Sequence, residues 1–202
     1  MGRSLLIFVM QWRSKLGVNV VPVIAKTLEV TSEFSNHPSY SLHFNAGYTF
    51  SPSHIGMIDY DVFDGVKDRK TSGVFAKIGA RFYPLSIKGR EPRNSFFIGG
   101  SAILSQYRQT AMKTDVSKIE LESIYEPTSV KGVTIAPALA LGFTTRISKR
   151  LFLDWGVQKS FLYRKNDFIG TQRRNYQPGM GSGQSSPFMG YLQGIVAIKF
   201  QL

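Results

Sequence analysis

Large apolar residues alternate with small or polar ones along most of this chain, and the alternation is clearest between Lys131 and Tyr163. One face of the first arm carries apolar side chains at every second position except Thr145: Val133, Ile135, Pro137, Leu139, Leu141, Phe143 and Ile147. The other face carries mainly Gly, Ala and Thr, and the arm that begins at Leu151 repeats the alternation after a corner at 148–150. Because successive side chains of a β-strand point to opposite faces of the sheet, the pattern predicts a hairpin of two long strands.

The same alternation predicts eight strands, at approximately 15–31, 39–50, 55–63, 72–84, 95–110, 131–147, 151–163 and 190–202. The connectors after the second, fourth and sixth strands are mostly short, and the others are mostly longer. This rhythm is typical of an up-and-down barrel whose two termini lie at the same end. Pro22 and Pro137 fall inside predicted strands, where they indicate bulges or weakened pairing.

The composition of the polar face indicates which side of each strand is inside. A solvated face usually carries Lys, Glu and Thr, whereas here it is mostly Gly, Ala, Ser and Thr with a few isolated charges. Small residues suit the lumen of a narrow closed barrel, which side chains must just fill. The arms also exceed the roughly 9–11 residues of a transmembrane strand. We therefore expect an all-β, eight-stranded antiparallel up-and-down transmembrane β-barrel with a side-chain-filled lumen; a soluble lipocalin-like ligand-binding barrel is the alternative.

Composition limits the other classes of protein. A chain of 202 residues is most simply one domain, and it contains no run of about 18 apolar residues that would make a transmembrane helix. It contains no cysteine, which excludes disulfides and thiol chemistry. The net charge of +12 lies largely in predicted loops and termini rather than in one stripe with interleaved aromatic residues. We therefore expect no nucleic acid partner, and anionic lipid head groups or acidic proteins fit the charge better.

From about residue 15 to residue 202 the strand pattern resembles the small outer-membrane β-barrels, such as OmpX and the OmpA membrane domain, and especially the outer-membrane β-barrel proteins of the Bacteroidota. The ending Ile198-Lys199-Phe200-Gln201-Leu202 looks like the C-terminal signal read by the barrel-insertion machinery, although that signal commonly ends in an aromatic residue. The resemblance implies a bacterial outer-membrane location, contact with outer-membrane lipids and lipopolysaccharide, and insertion by that machinery. Residues 1–14, with the apolar run Leu5 to Met10, look like a signal remnant or an N-terminal extension before the barrel at 15–202.

Charged residues on the predicted inner face form the first candidate site. Unpaired charges in a closed lumen are costly, so opposite charges on neighbouring strands should pair. The expected lumen charge network comprises Asp59, Asp61, Lys77, Arg81, Arg146 and Asp154, which Glu29 and Lys199 can join. We interpret it as a structural network that plugs the barrel; an ion pathway or gate is the functional alternative.

Aromatic residues near the strand ends form the second pattern, and they fit two interfacial girdles. One predicted girdle comprises Tyr40, Tyr60, Phe161 and Tyr163, and the other comprises Tyr48, Phe50, Phe82 and Phe96. Ordinary strand composition would also place aromatic residues at these positions.

Evidence for an enzyme is thin. His37, Ser39 and His43 raise the possibility of a lipid A-modifying outer-membrane enzyme, but no sequence motif surrounds them, and a polar turn with a satisfied lumen histidine is the simpler interpretation. The glycine-rich stretch 179–183 lacks the strand, helix and Lys of a phosphate loop and is expected to be a flexible outer loop. Three histidines without cysteine offer no metal-ligand spacing, and we expect no cofactor. The prediction is a non-enzymatic barrel that serves as a structural or accessory subunit within a larger outer-membrane complex for secretion or uptake.

Overall fold

The computed structural model describes residues 13–50, 65–84, 93–114, 125–161, 169, 176–183 and 191–202. Apart from one 3-10 helix at Val21–Ala25, their regular structure is β. The strands are β1 Arg13–Asn19, β2 Thr27–His37, β3 Tyr40–Thr49, β4 Val66–Phe82, β5 Asn94–Lys113, β6 Glu126–Arg146, β7 Leu151–Ser160, β8 Tyr176–Gln177, β9 Gly181–Gly183 and β10 Tyr191–Gln201. Among the described residues, no helix is long and apolar enough to cross a membrane.

The strands form a ring. Each strand from β1 to β6 pairs antiparallel with the next, β7 pairs with β10, and β10 pairs back with β1 through partners such as Leu16 and Phe200. The short strands β8 and β9 form a hairpin that joins the free part of the β10 edge, beyond the point where β1 ends. The all-β antiparallel prediction is confirmed, but the hairpin was not predicted from the sequence.

The predicted first strand, 15–31, is wrong, because it is two strands with a turn between them. Residues 13–19 form β1, the chain turns through the 3-10 helix Val21–Ala25, and β2 begins at Thr27. Pro22 lies at the start of that helix, where its missing N–H removes no needed hydrogen bond. Lys26 has a φ of 44° in the left-handed region and closes the turn by donating its N–H to the carbonyl of Val23 at 2.8 Å.

Because 15–31 forms two strands, β1 and β2, the numbering of the strands around the ring differs from the prediction. The predicted third strand, 55–63, lies outside the described residues, and β3 pairs directly with β4 along its whole length. The connectors at one end of the ring are 20–26, 50–65, 114–125 and 161–190. The connectors at the other end are 38–39, 83–93 and 147–150, and this end also holds the start of β1 and the end of β10. We call these the loop end and the terminal end. The predicted alternation of long and short connectors therefore holds with the corrected strands.

Pro137 does not cause a bulge. The pairing of β5 with β6 runs without a register shift from Asn94–Thr145 to Lys113–Glu126. The carbonyl of Pro137 faces the other neighbour, where it accepts a hydrogen bond of 2.9 Å from the N–H of Phe161. Since β7 ends at Ser160, the missing N–H of Pro137 removes a bond only at the edge of that ladder. The register shifts lie elsewhere, between Phe34 and His37 and between Lys67 and Lys70.

Candidate functional site: the closed polar interior

The two faces of the ring differ sharply in chemistry. On β6, Ile135 is 70% exposed and Leu139 is 55% exposed, whereas the intervening Ala136 and Ala138 are buried. On the other strands of the ring most large apolar side chains also point outward, and the inward positions are mostly polar or small, with a minority of large apolar residues such as Phe75, Phe97 and Ile103. This arrangement is the reverse of that in a water-soluble protein, whose large apolar residues are mostly buried.

Four charged side chains meet inside the ring. They come from four strands and are Glu33 of β2, Arg81 of β4, Asp154 of β7 and Lys199 of β10; we call them the four-charge cluster. The Nζ of Lys199 lies 2.6 Å from Glu33 Oε2 and 2.5 Å from Asp154 Oδ2. The guanidinium of Arg81 contacts Asp154 and lies 3.6 Å from Glu33 Oε2. Two acids and two bases balance, which is the condition under which buried charges are tolerated.

Neutral side chains add a hydrogen bond to each carboxylate of the cluster. The hydroxyl of Tyr83 donates to Glu33 Oε1 at 2.7 Å, and that of Thr144 donates to Asp154 Oδ1 at 2.8 Å. The guanidinium of Arg81 also lies 4.2 Å from the centre of the Phe97 ring, where the face of the aromatic ring attracts a cation. Each carboxylate therefore has both a cationic and a neutral donor.

A second ion pair lies closer to the loop end. Glu29 of β2 and Lys77 of β4 approach to 2.8 Å, and both side chains are fully enclosed. The Nζ of Lys77 also donates to the side-chain carbonyl of Gln158 at 3.1 Å. Amide groups from three strands donate to the two oxygens of Glu29 at 2.8–3.2 Å: Asn19, Asn45 and Gln193. The pair thus ties together strands on opposite sides of the ring.

The hairpin of β8 and β9 fills the interior near the loop end. Gln177 donates to the hydroxyl of Ser105 at 3.1 Å, and the phenol of Tyr176 lies 2.9 Å from the hydroxyl of Thr27. Met180 is completely buried against Ile103 and its neighbours.

The expected flexible outer loop at 179–183 is therefore wrong, because this segment folds into the ring. Gly179 has a φ of 76°, and a Cβ there would lie 2.6 Å from the Phe75 ring. Gly181 has a φ of 101°, and a Cβ there would lie 2.2 Å from the carbonyl oxygen of Leu192. Only glycine fits both the backbone conformation and the space, and these glycines let the hairpin enter the interior.

The structure places the sequence-predicted charges as follows. Lys77, Arg81 and Asp154 are buried inside the ring, whereas Asp59 and Asp61 lie outside the described residues. Arg146 is the last residue of β6, at the terminal end of the ring, and its side chain is exposed, so it is not part of the buried network.

The partners of the buried cations differ from those predicted. Lys77 and Arg81 were expected to pair with the acids of 55–63, but they pair with Glu29, Glu33 and Asp154. Glu33 was missed because the first strand was ended at residue 31. The alternation of inward Glu29 and Thr31 with outward Val30 continues beyond residue 31. Extending the predicted strand by two residues would have placed Glu33 on the inner face.

The aromatic girdles are divided differently from the prediction. Tyr40 stacks near Phe82 at 5.1 Å between ring centres, and Phe96 lies near Phe143 at 5.3 Å, both pairs at the terminal end. Tyr48, Phe50 and Phe161 lie at the loop end. Tyr40, Tyr48 and Phe50 were therefore assigned to the wrong ends, because predicting 15–31 as one strand reversed the direction expected for β3. Tyr60 and Tyr163 lie outside the described residues.

The histidines are not arranged as a nucleophile and base. His37 and Ser39 lie in the tight turn between β2 and β3, where the Nδ1 of His37 accepts a hydrogen bond from the backbone N–H of Ser39 at 3.1 Å. His43 lies inside the ring, away from this turn. No group of three His, Asp or Glu side chains among the described residues could hold a metal ion.

The C-terminal strand closes the ring. Phe200 and Leu202, the predicted insertion signal, are 47% and 76% exposed. The N–H of Leu202 donates to the carbonyl of Ser14 at 3.0 Å, and the N–H of Gln201 donates to the carbonyl of Arg150 at 2.8 Å. The last residues therefore join both neighbouring strands.

The fold and its interior define a closed antiparallel β-barrel with a polar, charge-paired inside and an apolar outside. No protein-family profile and no curated protein matches the sequence. Among solved structures, the chain is similar to the N-terminal β-barrel domain of Pseudomonas aeruginosa OprF, with a TM-score of 0.44 and 7% sequence identity over 95% of this chain and 96% of that one. The resemblance to barrels of the Bacteroidota stays a prediction.

Proposed function

We propose that this protein is a non-enzymatic β-barrel of the bacterial outer membrane, which acts as a structural or accessory subunit. The observation that carries the proposal is the inverted distribution of side chains. Ion pairs are enclosed in the ring, and leucine, isoleucine, valine and aromatic side chains cover its outside. Acyl chains are the solvent that suits such an outer surface, and a closed ring leaves no unpaired strand edge in the membrane.

The height of the apolar band supports this environment. All outward positions of β6 from Val133 to Phe143 are apolar. Ten residue steps of about 3.3 Å, tilted by about 40°, span about 25 Å along the barrel axis. This matches the height of about 25 Å that is usual for the apolar band of outer-membrane barrels. We infer that the loop end faces outward and the terminal end faces the periplasm.

The filled interior supports a structural or accessory role rather than transport. The four-charge cluster, the Glu29–Lys77 pair and the β8–β9 hairpin occupy successive levels of the ring. A barrel filled in this way presents its loops and its lateral surface to partners. In this proposal, outer-membrane lipids, the barrel-insertion machinery and a larger envelope complex for secretion or uptake are the partners.

The two alternatives predict different behaviour. A soluble lipocalin-like barrel needs an open apolar cavity inside, whereas the inside of this ring is polar and occupied. A lipid A-modifying enzyme needs an imidazole against a hydroxyl, whereas His37 contacts a backbone N–H. These observations favour the non-enzymatic membrane barrel.

Two measurements test the proposal. Refolded protein should float with phospholipid vesicles through a density gradient, and a protein that stays in the aqueous fraction would exclude the membrane barrel. Native protein extracted in mild detergent should co-purify with another envelope protein and leave lipid A unmodified. Modification of lipid A that is lost in a His37→Ala variant would favour the enzyme instead.

A further inference from the structure

A groove crosses the outer wall of the ring near the loop end. It has a volume of about 530 Å³ and is lined by residues of β3, β4, β5 and β6. The residues that matter for its chemistry are Tyr48, Val74, Gln106, Arg108, Lys131 and Val133. All of them occupy the outward positions of their strands.

The groove lies where the outer wall changes from apolar to basic. Val74, Gln106 and Val133 are paired across three strands and form one row. The next outward row toward the loop end is Ser72, Arg108 and Lys131. Two residues along a strand span about 7 Å, so cationic side chains lie within one such step of Val74 and Val133, which are 47% and 51% exposed.

The two cations are an unfavourable pair by themselves. Arg108 and Lys131 are directly opposite in the β5–β6 register, and like charges in that position destabilise a sheet. No described acid forms an ion pair with either side chain, and the other strand neighbour of Arg108 is Ser72. An anion held between them would remove the repulsion, and a phosphate, like a carboxylate, can accept two hydrogen bonds from one arginine.

We propose that this groove binds a phosphorylated glycolipid of the lipid A class, with its phosphate between Arg108 and Lys131. The sugar lies across the row of Tyr48, Val74, Gln106 and Val133 and hydrogen-bonds to Gln106. The acyl chains continue toward the terminal end along the next outward row, which contains Leu104 and Ile135. The volume exceeds the needs of a phosphate alone and leaves room for a sugar. The proposal rests on the proposed membrane function, which places the loop end in the outer leaflet.

The test uses the full chain in a neutral detergent, with purified lipid A as the probe and native mass spectrometry as the readout. The variant is Arg108→Gln/Lys131→Gln, and the matched control is Lys149→Gln/Arg150→Gln, which removes two exposed cations at the terminal end. We expect the first variant to bind lipid A at least tenfold more weakly and the control to bind it like the unaltered protein. Equal binding by both variants would overturn the proposal.

Two competitor arms identify the source of the phosphate. Phosphatidylglycerol and inorganic phosphate, each at the same concentration as lipid A, should displace little of it. Displacement by phosphatidylglycerol would show a general anionic-lipid surface, and displacement by inorganic phosphate would show an anion site without lipid recognition; either result overturns the glycolipid assignment.

Vesicle flotation of the same proteins separates this inference from the proposed function. If the unaltered protein and the variant both float but bind lipid A equally, only the glycolipid site is lost. If the unaltered protein does not float, the membrane barrel and the glycolipid site are both overturned.

Discussion

Replacing Arg81 by Met should destabilise the barrel strongly, because it removes one of two cations from the four-charge cluster. Arg81 contacts Asp154, lies 3.6 Å from Glu33 and is 5% exposed. Without it, among the described residues only Lys199 remains in direct contact with the two buried carboxylates, at 2.5 and 2.6 Å. Removing one partner of a buried ion pair typically costs about 3–5 kcal/mol, because a charge is left without compensation.

The size of the loss depends on charge balance, which a second substitution can restore. Arg81→Met/Asp154→Asn removes one cation and one anion and leaves Lys199 paired with Glu33. If unbalanced charge causes the loss, the double variant should be more stable than the Arg81→Met protein, with a coupling energy of about 1–3 kcal/mol. If the loss came from missing packing against Phe97, 4.2 Å from the guanidinium, the second substitution would only add to it.

The assay is urea unfolding of the refolded protein in lipid vesicles, with every variant made in a Trp12→Phe background so that the fluorescence reports Trp155 alone. The matched control is Arg146→Met, which removes an exposed cation from the same barrel and should not change the unfolding midpoint. An Arg81→Met protein as stable as the Arg146→Met protein, or a double variant less stable than Arg81→Met, would refute the reasoning.

Three further predictions use the same unfolding assay. Glu29→Gln should lower the free energy of unfolding by about 3 kcal/mol, because it leaves Lys77 enclosed without an anion. Adding Lys77→Met should recover part of that loss, and no recovery would contradict the pairing. Gly47→Ala should lower the free energy of unfolding by about 1–3 kcal/mol, since its Cβ would lie 2.3 Å from the Leu28 carbonyl oxygen and 2.4 Å from the Phe75 ring. The control Gly100→Ala, whose Cβ meets nothing within 4 Å, should be tolerated, and equal effects of the two variants would contradict the packing. Leu139→Arg, in the middle of the apolar band, should cost about 2–4 kcal/mol in vesicles, whereas Arg at the exposed position of Ser129, close to the loop end, should cost little; equal costs would contradict a lipid-facing band.

The alternation of residues predicted the all-β class, the outward apolar face and the long hairpin of β6 and β7. It succeeded there because period-two alternation is a local property, and the backbone of each strand converts it directly into two faces. It failed at 15–31, where Val21 and Val23 continue an apolar pattern through a helical turn. Periodicity alone does not distinguish such a short apolar run from a strand.

The interior could be predicted only in part for a different reason. The predicted strands placed Lys77, Arg81 and Asp154 correctly on the inside, whereas Arg146, at the very end of its strand, is exposed. Which charges meet depends on the order of strands around the ring and on the register between them, and predicting β1 and β2 as one strand gave β3 the wrong neighbours. The inward fold of 176–183 depends on contacts with Thr27, Phe75 and Ser105, which are distant in sequence and leave no local signal.

The most direct test of the account asks what surrounds the outer wall. Trp155 is 48% exposed on the outside of β7 and stacks on Phe143 at 4.7 Å between ring centres. In a Trp12→Phe background it is the only tryptophan, and its fluorescence can be measured in vesicles whose acyl chains carry bromine. The account predicts strong quenching by the brominated chains and little quenching by iodide in the buffer. Strong quenching by iodide with no effect of the brominated lipid would contradict a membrane-embedded barrel.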